Sequence, residues 1–261
     1  MEFAVHAWSL AFTTTYDRPD LFAGFGPHKS VWESRPFPGM IRHGKFMPTL
    51  FHYDAMTFVS CTRRLLISCK DACGSRALQY DLIDFARQLL SDQALMISTR
   101  LEEHFVHDNI NGFEKAKKAI LELLGLVGEL LSSHPMFCFH SQGDPGESVE
   151  LDAASIRFRK QLLTMWHESN DGLLADYASQ QLGGSLFHQV HKKRWEFLLN
   201  SFDSSYYQLE KNFRAIEMNW INNNALPNED DASCRPLSNV NELVDLLLKV
   251  LEFAQRKGKT M

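Results

Sequence analysis

The sequence predicts an all-α fold, a multi-helix bundle preceded by a loop-rich segment with short helices. Three observations carry this. From Tyr80 onward apolar residues recur at three- and four-residue intervals in stretch after stretch, which stacks them on single helix faces. No run alternates for long with the two-residue period of a sheet. Five of the nine prolines, Pro19, Pro27, Pro36, Pro38 and Pro48, fall early in the chain. Residues 1–78 are accordingly read as a loop-rich segment whose short helices pack on the bundle, and residues 79–261 as the helical bundle domain.

In the early segment, short helices are expected around Val5 to Thr14 and Ala55 to Ser68, anchored by Trp8, Phe12, Phe58, Leu65 and Leu66. The first long helix starts at Tyr80 and presents Leu82, Ile83, Ala86, Leu89, Leu90, Ala94, Ile97, Leu101 and Phe105. It ends at Asp108, Asn109, Asn111 and Gly112, with Asn111 placed to accept from the free N–H groups of the next helix. That helix carries Phe113, Ala116, Ile120, Leu123, Leu124, Val127, Leu130 and Leu131, and Pro135 closes it. A polar loop precedes a third stripe of Leu151, Ala154, Phe158, Leu162, Met165 and Trp166, which stops at the turn Asn170-Asp171-Gly172. Helical runs then cover about Leu173 to Gln181, Leu186 to Phe202 and Tyr206 to Trp220. Asn222 to Pro236 reads as a long exposed loop before a last helix bearing Val240, Leu243, Leu246, Leu247, Val250, Leu251 and Ala254.

Composition narrows the function. The 261 residues carry 27 Lys and Arg against 32 Asp and Glu, a formal charge of -5, so no basic field is available to hold a phosphate backbone and no nucleic-acid partner is expected. The longest apolar stretch, Ala119 to Leu131, is broken by Glu122 and Glu129 and is too short to span a bilayer, so no membrane partner is expected. The first dozen residues lack the charged start of a secretory signal. If Met1 is the true start, the chain is cytoplasmic. Five scattered cysteines suggest free thiols rather than a disulfide framework.

Chemical motifs are sparse. His188-x-x-His191 has the spacing of two metal ligands with Glu196 beyond, but no local pattern supplies a third, and neither a metal nor any other cofactor is expected. Cys69-x-x-x-Cys73 lacks a second pair of ligands. Carboxylates are abundant (Asp81, Asp84, Glu102, Glu103, Asp176), yet glycoside hydrolysis needs two facing across a cleft, which spacing on a helix cannot show. The later aromatics, Trp166, Tyr177, Trp195, Tyr206, Tyr207 and Trp220, either pack in the core with a hydrogen-bonding tip or line a sugar cleft.

Several strings add a resemblance. Tyr80-Asp81-Leu82-Ile83-Asp84-Phe85-Ala86-Arg87-Gln88, the run Gln161 to Trp166, Asp176-Tyr177-Ala178 with Gln181 and Gly184, and Arg194-Trp195 resemble, in order and separation, the C-terminal helical domain of the lysosomal alpha-N-acetylglucosaminidase family. Ala7-Trp8 with Leu10 and Tyr16, then Tyr53 and Arg64-Leu65-Leu66, are similar to the preceding part of that region. The resemblance implies an exo-acting retaining glycosidase that removes terminal alpha-linked N-acetylglucosamine from heparan sulfate in the lysosome with two glutamates on a barrel. A barrel needs roughly 250 residues of its own, so no catalytic residue is expected in this chain, which is expected to be inactive alone. Its implied partners are the barrel domain of the full-length enzyme, or another copy of it, and the terminal N-acetylglucosamine of a glycan. Trp166 and Tyr177 match the wall that the helical domain adds to the pocket and are the expected substrate-binding residues. The alternatives are a stand-alone helical protein-interaction module without catalysis and a metal enzyme centred on His188 and His191.

Overall fold

The computed structural model describes residues 2–13, 30–39, 55–69, 75–137, 152–165, 183–223, 237 and 239–259. Its helices are α1 (Glu2–Ala11), α2 (Ala55–Cys69), α3 (Arg76–Val106), α4 (Ile110–Ser132), α5 (Ala153–Thr164), α6 (Lys192–Asn200), α7 (Tyr206–Asn222) and α8 (Val240–Lys259). A helical turn Gly184–Leu186 and a π-helical turn Phe187–His191 run into α6. No strand occurs among the described residues, and the all-α expectation holds.

The antiparallel α3–α4 hairpin is the spine, with α8 laid against α3 and α2, and α1 against α2. Leu82, Ile83, Ala86, Leu89, Leu90, Ala94, Ile97 and Leu101 of α3 are all buried, as their spacing predicts. Phe105 at the end of that stripe is 42% exposed and instead meets Phe202 edge-on and Phe113 at a tilt. One apolar cluster takes in Val31, Trp32, Phe58 and Leu65 from the early residues together with α3, α4, α6, α7 and α8.

Three boundaries differ from expectation for local reasons. The helix expected from Tyr80 starts at Arg76. The cap of α4 is Asn109, whose side chain accepts from the Gly112 N–H at 2.9 Å. The chain reverses at Asp108, in the left-handed region at φ 51, so Asn109 takes the capping position and Asn111 falls inside the first turn. Pro135 does not close α4, which ends at Ser132; the proline opens a short 3-10 turn, Pro135–Phe137.

The larger correction concerns α5. Its cap is Asp152, which accepts from the Ser155 N–H at 2.7 Å. Its buried face is Ile156, Lys160, Leu163 and Thr164, packed on α7. Of the predicted stripe, Ala154 and Phe158 turn outward, Phe158 being 59% exposed, while Leu162 is half-buried and Met165 buried as expected. Leu163, Met165, Leu186, Val190, Trp220 and Ile221 form a second, smaller apolar cluster.

Two glycines of α4 have opposite prospects. A Cβ on Gly128 would stand 2.6 Å from the His188 ring, whereas one on Gly125 would meet nothing within 4 Å. Gly128→Ala must push that imidazole aside, and we expect a net loss of about 1–2 kcal/mol even after the helix-propensity gain. Gly125→Ala should gain about 0.5–1 kcal/mol. Chemical denaturation of the two variants checks the contrast.

Candidate functional site

The expected sugar-contact residues Trp166 and Tyr177 lie outside the described residues, as does the expected helix from Leu173 to Gln181. What the structure does give is the frame that holds both ends of segment 166–182. On one side α5 ends at Met165, buried against Leu186, Val190 and Trp220. Lys160 fixes that last turn: its ammonium donates to the Asn223 carbonyl at the end of α7 (2.5 Å) and sits 5.3 Å from the Trp220 ring centre. Burial pushes the Lys160 amine below its ordinary value.

On the other side the chain returns at Gly183, where a Cβ would stand 3.1 Å from the Phe137 carbonyl oxygen. The π-turn that follows sends its two histidines in different directions. His188 reaches α4, its Nε2 3.2 Å from Ser132 Oγ and 3.3 Å from the Gly128 carbonyl. His191, 3% exposed, accepts at Nδ1 from Arg194. The pair therefore does not point at a common ligand. Glu196, the third member of the metal reading, faces Lys192 at 3.9 Å. Among the described residues no three His, Cys, Asp or Glu side chains gather as a metal site would require.

The strongest chemistry in this frame is an ionic network that no local motif announces. Glu217 of α7 is fully buried and takes hydrogen bonds from Arg35 Nε (3.0 Å) and Nη2 (2.6 Å) and from Arg194 Nη1 (2.9 Å). Arg35 also donates to Glu210, and Arg194 Nη2 donates to the Glu33 carbonyl at 3.0 Å. Burial works against the charge of Arg35, but Glu217 and then Glu210 outweigh it and hold the guanidinium above its ordinary value. For Arg194 burial wins and the shift is downward, only partly opposed by Glu217. Both guanidinium groups stay protonated at any pH a protein meets. Two cations thus face two carboxylates, and residues 30–39 are strapped across α6 and α7. Trp32 backs the strap, edge-on to Phe187 (6.1 Å) and Trp195 (5.8 Å).

The other carboxylates singled out by sequence are spread along α3. Asp81 sits above its ordinary value through burial and then the neighbouring Asp84, while Asp84 pairs with Arg87 at 2.6 Å. Glu102 is buried and accepts from the Gly39 N–H at 3.0 Å. Asp176 lies outside the described residues. The acids that do converge, Glu210 and Glu217, are engaged by arginines, an arrangement suited to holding chain segments together rather than to passing protons.

A model of the alpha-N-acetylglucosaminidase C-terminal domain matches residues 2–245. The chain belongs to this family. Human alpha-N-acetylglucosaminidase is 25% identical over 187 residues, which cover 64% of this chain and 25% of the human protein. This C-terminal domain therefore spans about a quarter of the length of that relative. Its fold recurs in a family 89 glycoside hydrolase from Clostridium perfringens in complex with PUGNAc, at TM-score 0.72 and 21% identity, covering 95% of this chain and 29% of that one. A second structure of the Clostridium perfringens protein, in complex with its substrate GlcNAc-alpha-1,4-galactose, superposes at TM-score 0.74 with 22% identity over 95% of this chain and 29% of that one. The resemblance read from the strings around Asp84 and Gln161 to Trp166 is thus that of a true family member. No helix among the described residues is long and apolar enough to cross a membrane.

Proposed function

We propose that this domain supports, and partly walls, the sugar pocket of a barrel-bearing catalytic part in an alpha-N-acetylglucosaminidase-like glycoside hydrolase, and that it does not hydrolyse by itself. The observation that carries the reading is the family match over residues 2–245 of a chain that spans only a quarter of its human relative. The frame supports it. Lys160, Gly183 and the π-turn fix the two ends of segment 166–182, the stretch that holds Trp166 and Tyr177. In this reading both aromatics contact a terminal N-acetylglucosamine, a ring face against the apolar face of the sugar. By family, the glycan is heparan sulfate and the compartment the lysosome.

The test is turnover of an aryl alpha-N-acetylglucosaminide. The domain alone should give none. Co-expressed with the catalytic part of a family enzyme, it should restore turnover, and Trp166→Ala or Tyr177→Ala should then lower kcat/KM on the order of tenfold or more, the worth of one lost stacking contact. Turnover by the domain alone, abolished by replacing one of its own carboxylates, would overturn the proposal.

A further inference from the structure

We propose that the cap of α4 is acid-sensitive: proton uptake by His104 turns the Asn109 side chain away from the Gly112 N–H and releases the first turn of that helix. The inference is independent of the sugar-pocket reading. It starts from a glycine. A Cβ at Gly112 would stand 2.5 Å from His104 Nδ1 and 2.7 Å from Asn109 Nδ2, so the imidazole at the end of α3 and the capping amide both use space that a side chain would fill. Asp108, at φ 51, makes the reversal that brings Asn109 back beside the ring.

The hydrogen bonds fix where each proton lies. The Gly112 N–H can only donate, so the Asn109 oxygen must face it, as it does at 2.9 Å. That leaves the Asn109 NH2 group toward His104, its nitrogen 3.1 Å from Nδ1. An NH2 group also only donates, so Nδ1 accepts and carries no proton, and the neutral ring holds its proton on Nε2. When the ring becomes a cation, Nδ1 gains a proton that points at the NH2 group. The Asn109 amide resolves the conflict by turning over, because its oxygen then accepts from a cation, a stronger bond than the one it gives up at a neutral N–H. Gly112 is left without its acceptor, and α4 without its cap. His107 is the built-in contrast: its Nδ1 lies 2.7 Å from the Glu103 carbonyl, which only accepts, so this ring donates in either charge state. The charged groups around His104 are mixed in sign. Arg100, Glu103 and Asp108 lie within one turn of it in sequence, Glu114 and Lys115 follow Gly112 on α4, and Asp203 adjoins Phe202, which packs on Phe105 and Phe113. Among the described residues none of them forms an ion pair with the ring, which leaves the Asn109 amide as the group its proton must displace.

The experiment is an NMR titration of the isotope-labelled chain from pH 7.5 to 5, a range in which imidazoles ordinarily change charge. The Gly112 amide resonance should move with the same midpoint as the His104 ring. Exchange protection of the Gly112 N–H, corrected for the intrinsic pH dependence of exchange, should fall roughly fivefold, the worth of a lost cap. Two variants remove the response for opposite reasons. His104→Gln offers a carbonyl oxygen that accepts from Asn109 at every pH. Asn109→Asp supplies a carboxylate that caps Gly112 with one oxygen and accepts from the protonated ring with the other. Protection should stay level in both, whereas His107→Gln should leave the loss in place. Three results overturn the proposal: Gly112 protection that does not change while His104 titrates, a ring that stays neutral down to pH 5, or an acid loss that survives in His104→Gln.

Discussion

Glu217→Ala should be among the most destabilising single substitutions in the domain, lowering unfolding free energy by about 3–5 kcal/mol, the cost of breaking a buried ion pair from one side. At roughly 2–4 °C per kcal/mol for a chain of this size, the melting temperature should fall on the order of 10 °C. The reason lies in what stays behind. Glu217 is fully buried and receives three hydrogen bonds from two guanidinium groups, and its removal leaves Arg194, itself 3% exposed, beside Arg35 with one carboxylate fewer between them. Neither arginine can shed its proton to relieve the repulsion. Replacing the group as a unit gives a different outcome. Glu217→Leu combined with Arg194→Met and Arg35→Met should recover most of the loss, since apolar side chains of similar volume often match or exceed a buried ionic cluster in stability. Thermal melts of the single and triple variants make the comparison. A triple variant as unstable as Glu217→Ala would mean that the network is needed for more than its own charge balance.

The contrast between α3 and α5 shows where the sequence was informative. On α3 the apolar residues that spacing picked out from Leu82 to Leu101 are all buried, and because the helix runs through the middle of the bundle the fold also buries Ser91, Asp92 and Gln93 beside them. On α5 the polar-looking positions include Lys160, which the fold buries by giving its ammonium a carbonyl and an indole ring. Periodicity put Phe158 in the apolar stripe and was silent on Lys160, and the structure exposes the first and buries the second, because burial there is decided by partners that come from α7. The ionic network was illegible for a related reason. Arg35 lies 182 residues from Glu217 and 175 from Glu210, and no local pattern spans such distances. The available hint was that Glu210, Phe213 and Glu217 recur on one side of α7, with Phe213 plainly a core residue. Trp166 and Tyr177 were reached through resemblance to a family rather than through spacing, and the described residues bear on them only through the chain ends they hold.

Trp32→Ala should cost a further about 3–5 kcal/mol on its own, the usual range for removing a buried large aromatic. Trp32 is 0% exposed although it sits in no regular element; it fills the space between Phe187 and Trp195, and so seats the strap of residues 30–39 by packing where Arg35 seats it by charge. Trp8→Ala, which removes a ring that is 40% exposed and touches Phe85 edge-on, should cost clearly less. Two anchors on one strap are not independent. Once Trp32 is gone and the strap has loosened, Arg35 no longer delivers its guanidinium to Glu217, so the second loss has already been partly incurred. Trp32→Ala combined with Arg35→Ala should therefore fall short of the sum of the two singles by about 1 kcal/mol or more, the range seen for coupled neighbours. Strict additivity in a double-mutant cycle measured by denaturant unfolding would show instead that packing and charge hold different parts of the strap, each without help from the other.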